Sequence, residues 1–211
     1  MSGSELNNPH RISKGRLETM VDTIFAFAMT LLVLSIAMPE LPVNEAATEL
    51  PGYLYKLLPQ LILFILAFLL LTLFWIEHHR QFHYLRIVDP AILRFNVAIL
   101  IFIVLIPFST DVSGAYDGVR VAVLLLHVNI LILGALFLGH WMYLCRSCHL
   151  CDEEFDAHTE GRSWILATVP AVAIFGIVVA FFSPGYSLLV YLLIPVIAVI
   201  RKRRVPVAGN G

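Results

Sequence analysis

Charge is what this sequence has least of. Only 14% of its 211 residues are Asp, Glu, Lys or Arg, while 59% are hydrophobic, and the mean hydropathy is +0.86. A water-soluble domain needs far more polar side chain to cover its surface, so a soluble globular fold is excluded and lipid is the solvent that suits the composition. The net charge of −1 lacks the basic excess of a nucleic-acid partner, and none is expected. Cysteine is scarce and odd in number: Cys145, Cys148 and Cys151 cannot form a disulfide framework. The segment Met1–Lys14 carries no apolar run, so no cleavable signal is expected and the first apolar helix should be retained. No internal repeat of the inverted transporter kind is visible.

What the chain has is apolar stretches. A window of about 19 residues finds six, at 20–38, 57–76, 91–107, 121–144, 164–182 and 186–200. Each approaches the roughly 20 residues that cross a bilayer core as a helix. The expected fold is therefore an all-α membrane protein, one six-helix domain over residues 1–211. Pro90 and Pro107 bracket the third stretch, and Pro107 reads as a helix stop.

Orientation follows from the cations. Arg11, Lys14, Arg16, Arg80, Arg86, Arg94, Arg146, Arg162 and the run Arg201–Arg204 fall on one side, 12 of the 14 basic residues; only Lys56 and Arg120 fall on the other. The positive-inside rule makes the basic side cytoplasmic. Both termini then lie inside, as an even number of spans requires. The opposite loops carry Glu40, Glu45, Glu49, Asp111 and Asp117, a surface that raises the local cation concentration or is simply solvated.

The first stretch carries the most chemistry. Asp22 stands near its inner end, where a carboxylate is costly without a partner. Arg16 lies six residues earlier, off the spacing of three or four that shares a helix face, so both are expected to join a network with other helices. Thr23, Phe27, Thr30, Leu34 and Met38 form one continuous stripe. Alternating hydroxyl and apolar groups suit a narrow pore wall, where apolar rings gate by dewetting and oxygens replace part of an ion's water shell. Helix–helix packing is the alternative reading of the same stripe.

Arg16-Leu17-Glu18-Thr19-Met20-Val21-Asp22 resembles the R-x-x-x-F-S-D signature of the transmembrane-protein-175 potassium channels, with Met20 and Val21 in place of Phe and Ser. Phe25 to Leu34 resembles the apolar segment that follows it. Phe74-Trp75-Ile76-Glu77-His78-His79-Arg80 is similar to the family's F-W-x-x-H-H-R block. Asn96 and Pro107-Phe108-Ser109 make a third.

The resemblance implies a homotetramer in a lipid bilayer, whose first helices line a central pore. It implies passive, potassium-selective conduction without a Thr-Val-Gly-Tyr-Gly filter, which this sequence lacks. No enzymatic activity and no cofactor are implied, potassium being the permeant ion. By the family's pattern the hydrophobic constriction is Phe27, where relatives usually carry Ile or Leu, with Thr30 and Leu34 as the next layers. Arg16, Asp22, Trp75, His78, His79 and Asn96 match the family's structural polar network. Trp75 stands three and four residues before the two histidines, so either can share its face. A single six-helix unit points to a multi-pass protein of a prokaryotic plasma membrane.

Two other function classes are open. A cation- or proton-coupled transporter needs an exchangeable acid near mid-membrane, and Asp22 is the nearest. A membrane-embedded metal-binding protein could draw on His79 and His83, four apart, or on Cys145, Cys148, His149 and Cys151. His127 and Asn129, inside the fourth stretch, read as packing hydrogen bonds or ion-path groups. The acidic run Asp152–Glu160 reads as a solvated linker and Arg201–Arg204 as a topology anchor.

Overall fold

In a computed structural model, residues 13–36, 42–147, 151, 162–194 and 197 are described, and their regular elements are all helices. They are α1 (Lys14–Leu31), closed by a 3-10 turn at Leu32–Ser35; α2 (Val43–Lys56); α3 (Leu58–His83); α4 (Pro90–Ala115); α5 (Arg120–Arg146); α6 (Arg162–Phe182); and α7 (Pro184–Ser187), followed by a 3-10 turn at Leu188–Leu192. Among the described residues four helices are long and apolar enough to cross a membrane: α1 with its 3-10 end, α3, α4 and α5. The apolar part of α6, Leu166–Phe182, is shorter.

Elementary rules account for these elements. Pro59 and Pro90 sit in the first turns of α3 and α4, where a missing N–H costs nothing. Asp89 caps α4 by accepting a 2.7 Å hydrogen bond from the Ile92 amide. At 1.5 Å per residue the 26 residues of α3 reach about 39 Å, longer than a hydrocarbon core of about 30 Å. Its polar last turns therefore stand at the membrane edge.

α5 packs antiparallel between α4 and α6, and α1 lies across α3 and α4. One apolar core runs through the bundle, built on Val21, Phe25 and Ala28 of α1, Leu71 and Phe74 of α3, Ile99 and Ile103 of α4, and Ile130 and Leu133 of α5. A second closes the basic end, with Leu17, Phe82, Leu85, Ile92, Trp141 and Leu144. The outward faces carry Ile65, Phe68 and Leu69 on α3 and Ile101, Val104 and Phe108 on α4. So much exposed apolar surface belongs in lipid. The chain is an integral, multi-pass membrane protein.

Several helix ends differ from the sequence expectation, for one reason. A hydropathy window sees only the lipid-covered part, whereas backbone hydrogen bonding continues into water. α3 extends past Ile76 to His83, and α1 begins at Lys14. Pro107 does not end its helix: α4 continues to Ala115, with Pro107 buried and Ser109 Oγ donating to the carbonyls of Leu105 (2.9 Å) and Ile106 (3.1 Å) in the adjoining turn. Asp111, assigned to a loop, thus lies on α4. The segment expected to be an outer loop contains α2. The sixth stretch opens as a short helix and a 3-10 turn rather than a continuous helix from Tyr186. Met38, Cys148, His149, Asp152–Glu160 and Arg201–Arg204 fall outside the described residues.

Candidate functional site

α1 has two unlike faces. Leu17, Val21, Phe25, Ala28 and Leu32 are each no more than 1% exposed and form the seam against α3 and α4. Opposite them stand Thr23, Phe27, Thr30 and Leu34, all exposed; Phe27 is 65% and Leu34 75% accessible. The stripe thus turns away from the chain's own core. Thr23 Oγ1 donates to the Thr19 carbonyl and Thr30 Oγ1 to the Phe27 carbonyl, both at 2.8 Å. Each hydroxyl proton is committed to the helix backbone, which leaves the oxygen lone pairs as acceptors on the exposed face. An apolar ring beside acceptor oxygens is chemistry that a dehydrating cation can use.

At the basic end, α3 holds α1 in place. Trp75 Nε1 donates to Asp22 Oδ1 at 2.9 Å, which gives the carboxylate its partner. The His79 ring stacks on Trp75, centroids 6.2 Å apart. His78 turns the other way: its Nε2 bonds Asn96 Oδ1 at 2.8 Å in the core, and its ring stacks 4.2 Å from Phe82. The sequence left the two histidines open; the geometry gives His78 to Asn96 and His79 to Trp75. Five of the six residues of the expected network therefore sit as two sets around α3, Asp22–Trp75–His79 and His78–Asn96, and the sixth, Arg16, is in neither among the described residues. Arg16 is exposed, and among the described residues no ion pair joins it to Asp22.

Three partners escaped the sequence reading. Lys14 Nζ, 4.0 Å from Glu18, donates to the carbonyls of His83 (3.2 Å) and Leu85 (2.8 Å), tying the start of α1 to the end of α3. The signal was there, since a lysine suits a helix C-terminus. Gln81 and His140 form a buried pair, His140 Nδ1 to Gln81 Oε1 at 2.6 Å. Tyr143 donates to Asp89 Oδ2, joining the α4 cap to α5. Burial raises the Asp89 carboxyl, but the Ile92 amide, the Tyr143 hydroxyl, the Ala91 amide and Arg94 outweigh it and hold the group below its ordinary 3.8.

His127 and Asn129 both make buried hydrogen bonds within the bundle. His127 Nδ1 bonds the Tyr191 hydroxyl (2.7 Å) and its Nε2 the Ser187 hydroxyl (3.0 Å), all buried. Asn129 Nδ2 donates to Ser109 Oγ at 3.1 Å. Among the described residues no three His, Cys, Asp or Glu side chains converge as metal ligands. Cys145 and Cys151 pack beside the second apolar core.

Residues 16–107 match the family described as endosomal/lysosomal potassium channel TMEM175. The chain is 29% identical over 151 residues to a potassium channel of Streptomyces collinus, covering 68% of this chain and 70% of that one. It is likewise 29% identical over 153 residues to a potassium channel of Chamaesiphon minutus, covering 71% and 75%. In fold it is similar to the crystal structure of a lysosomal potassium-selective channel TMEM175 homolog from Chamaesiphon minutus. The TM-score is 0.76 and the identity 24%, over 89% of this chain and 97% of that one.

Proposed function

From its kinship with the TMEM175 family, we propose that this chain is a non-enzymatic, potassium-selective cation channel, a homotetramer of six-helix subunits with α1 of each subunit lining a central pore. The observation that carries this is the exposed stripe of Phe27, Thr30 and Leu34, set opposite α1's own buried seam. An apolar stripe with backward-bonded threonines needs a purpose on the side away from the core, and a shared axis supplies one. Phe27 forms the constriction, with Thr30 and Leu34 as the layers beyond it. Potassium sheds water more readily than sodium, so an apolar ring flanked by hydroxyl oxygens penalises sodium more. No resident cofactor is required; potassium is the permeant species.

The basic end faces the cytoplasm, which puts both termini of the single 1–211 domain inside, in a prokaryotic plasma membrane. The opposite end presents exposed Glu45, Glu49, Asp111 and Asp117 against Lys56 and Arg120, a field that gathers cations at the mouth. The two sets around α3, Asp22–Trp75–His79 and His78–Asn96, hold the tilt of α1, and the exposed Arg16 meets a neighbouring subunit.

Cysteine substitution tests the lining. Leu34→Cys is expected to make potassium current sensitive to a charged thiol reagent applied from the acidic side, while Ile65→Cys on the lipid-facing side of α3 is not. Equal insensitivity at both positions removes α1 from the pore.

A further inference from the structure

Among the described helices, α2 alone has no buried residue. Its two sides are nonetheless unlike. At 3.6 residues per turn, Val43, Ala47, Leu50 and Leu54 share one face, at steps of four, three and four, while Glu45, Glu49 and Lys56 share the opposite one. The polar side is complete in itself. An acid stands in the first turn and a base in the last, as the helix dipole favours, and Thr48 Oγ1 donates to the Glu45 carbonyl at 2.9 Å. The apolar side is open: Val43 is 92% and Leu54 52% accessible. Among the described residues nothing covers it, and bare apolar surface in water is costly.

The joint with α3 shows what does. Leu57, alone between the two helices, has helical backbone angles. Its amide donates to the Tyr53 carbonyl at 3.1 Å, and its carbonyl accepts from the Leu61 amide at 3.0 Å, which carries the helical phase across. Stepping on from Leu54 by four, four and three residues reaches Leu58, Ile62 and Ile65, all exposed. These open the α3 face that lies in lipid. The apolar face of α2 is thus continuous with a lipid-covered stripe. The joint also stands at the edge of the hydrocarbon, because the apolar stretch 57–76 spans about 30 Å as a helix, the thickness of the core. Beyond it the 14 residues of α2 add about 21 Å. Held straight, they would carry Leu50 and Val43 into water. Pro59 has no N–H to give across the joint, which lets the helix turn aside there.

We propose that α2 docks on the membrane surface at the acidic end, in the boundary between headgroups and acyl chains, with Val43, Ala47, Leu50 and Leu54 in lipid and Glu45 and Glu49 in water. A helix of this kind sinks about 5–10 Å into the boundary. Its partner is a zwitterionic phospholipid surface: the polar face is acidic on balance, so apolar burial holds the helix, not attraction to anionic headgroups. The docking needs a bilayer and is independent of the channel reading.

An environment-sensitive fluorophore on Leu54→Cys and on Glu45→Cys tests this, each in a full chain with serine at 145, 148 and 151, in phosphatidylcholine liposomes. At Leu54→Cys a nitroxide carried near the lipid headgroup is expected to quench several-fold more than iodide present on both sides. At Glu45→Cys the order reverses. Equal iodide quenching at the two positions puts α2 in water and overturns the proposal. A Leu54→Cys label shielded from both quenchers lies under protein, a second copy or another face of this chain, and overturns it too. Ile65→Cys is the control: a nitroxide at mid-chain depth is expected to quench it, and a failure there overturns the lipid stripe and the docking together. A map of the unaltered chain in a phosphatidylcholine nanodisc checks the same point without labels. It is expected to place α2 within the headgroup layer; α2 standing clear of the disc, or packed on a second copy, overturns the docking. Neither readout uses ion flux, so a failure of the channel reading leaves both in force.

Discussion

Single residues set the two properties most open to test. Phe27, exposed on α1 and flanked by the Thr30 hydroxyl, is the bulkiest group on the stripe proposed to line the pore. On the proposed arrangement, Phe27→Ala widens the constriction. Single-channel recording is expected to show a conductance several-fold higher and a smaller preference for potassium over sodium; unchanged conductance and permeability ratio would remove Phe27 from the gate. Gly176 is the second such position. A Cβ there would lie 2.5 Å from His127 Cε1 and 2.7 Å from Nδ1, inside a ring held on both sides by Tyr191 and Ser187. Gly176→Ala is expected to destabilise the fold by about 1–3 kcal/mol through overpacking, read as a lowered melting temperature in detergent; a melting temperature at or above that of the parent would contradict it. The residues alone said that a carboxylate such as Asp22 at a membrane edge seeks a partner; that Trp75, the two histidines and Asn96 share its network was what the family resemblance implied. Neither could say that His78 turns inward and His79 outward. That depends on the rotation of α3 about its axis, which neighbouring helices set. Gln81 and His140 were invisible for the same reason.

At the scale of elements, helix ends carry the weight. Asp89 caps α4 and takes the Tyr143 hydroxyl of α5, so one carboxylate secures two helices. Asp89→Ala is expected to cost about 1–2 kcal/mol. The pH dependence has a definite sign. The folded carboxyl titrates below its ordinary 3.8, so its contribution is complete above that value and is lost as pH falls through the lower one. The melting-temperature gap between parent and Asp89→Ala should therefore be constant from pH 7 to 5 and close only in stronger acid; a gap that closes by pH 5 would contradict this. The sequence marked where apolar stretches lie but not where helices end. α3 continues through Glu77, His78 and Gln81, and α4 through Pro107, since buried neighbours and Ser109 support a turn that a proline would break in water. α2 was missed because its amphipathic run is too polar for a membrane window.

For the whole molecule, composition alone placed the chain in a bilayer, and the asymmetry of its basic residues gave an orientation. The architecture then follows from what α1 lacks. Its inner seam is filled by α3 and α4, yet its stripe of Phe27, Thr30 and Leu34 faces away from both apolar cores of the described residues. The proposed meeting of copies along that stripe could not be read from one sequence, because residues that face another copy and those that face lipid are apolar alike. The most direct test is ion flux into liposomes holding the purified protein, driven first by a potassium and then by a sodium gradient. Flux with potassium that clearly exceeds flux with sodium is the expected result. Equal flux with the two ions, or none with either above protein-free liposomes, would contradict a potassium-selective pore.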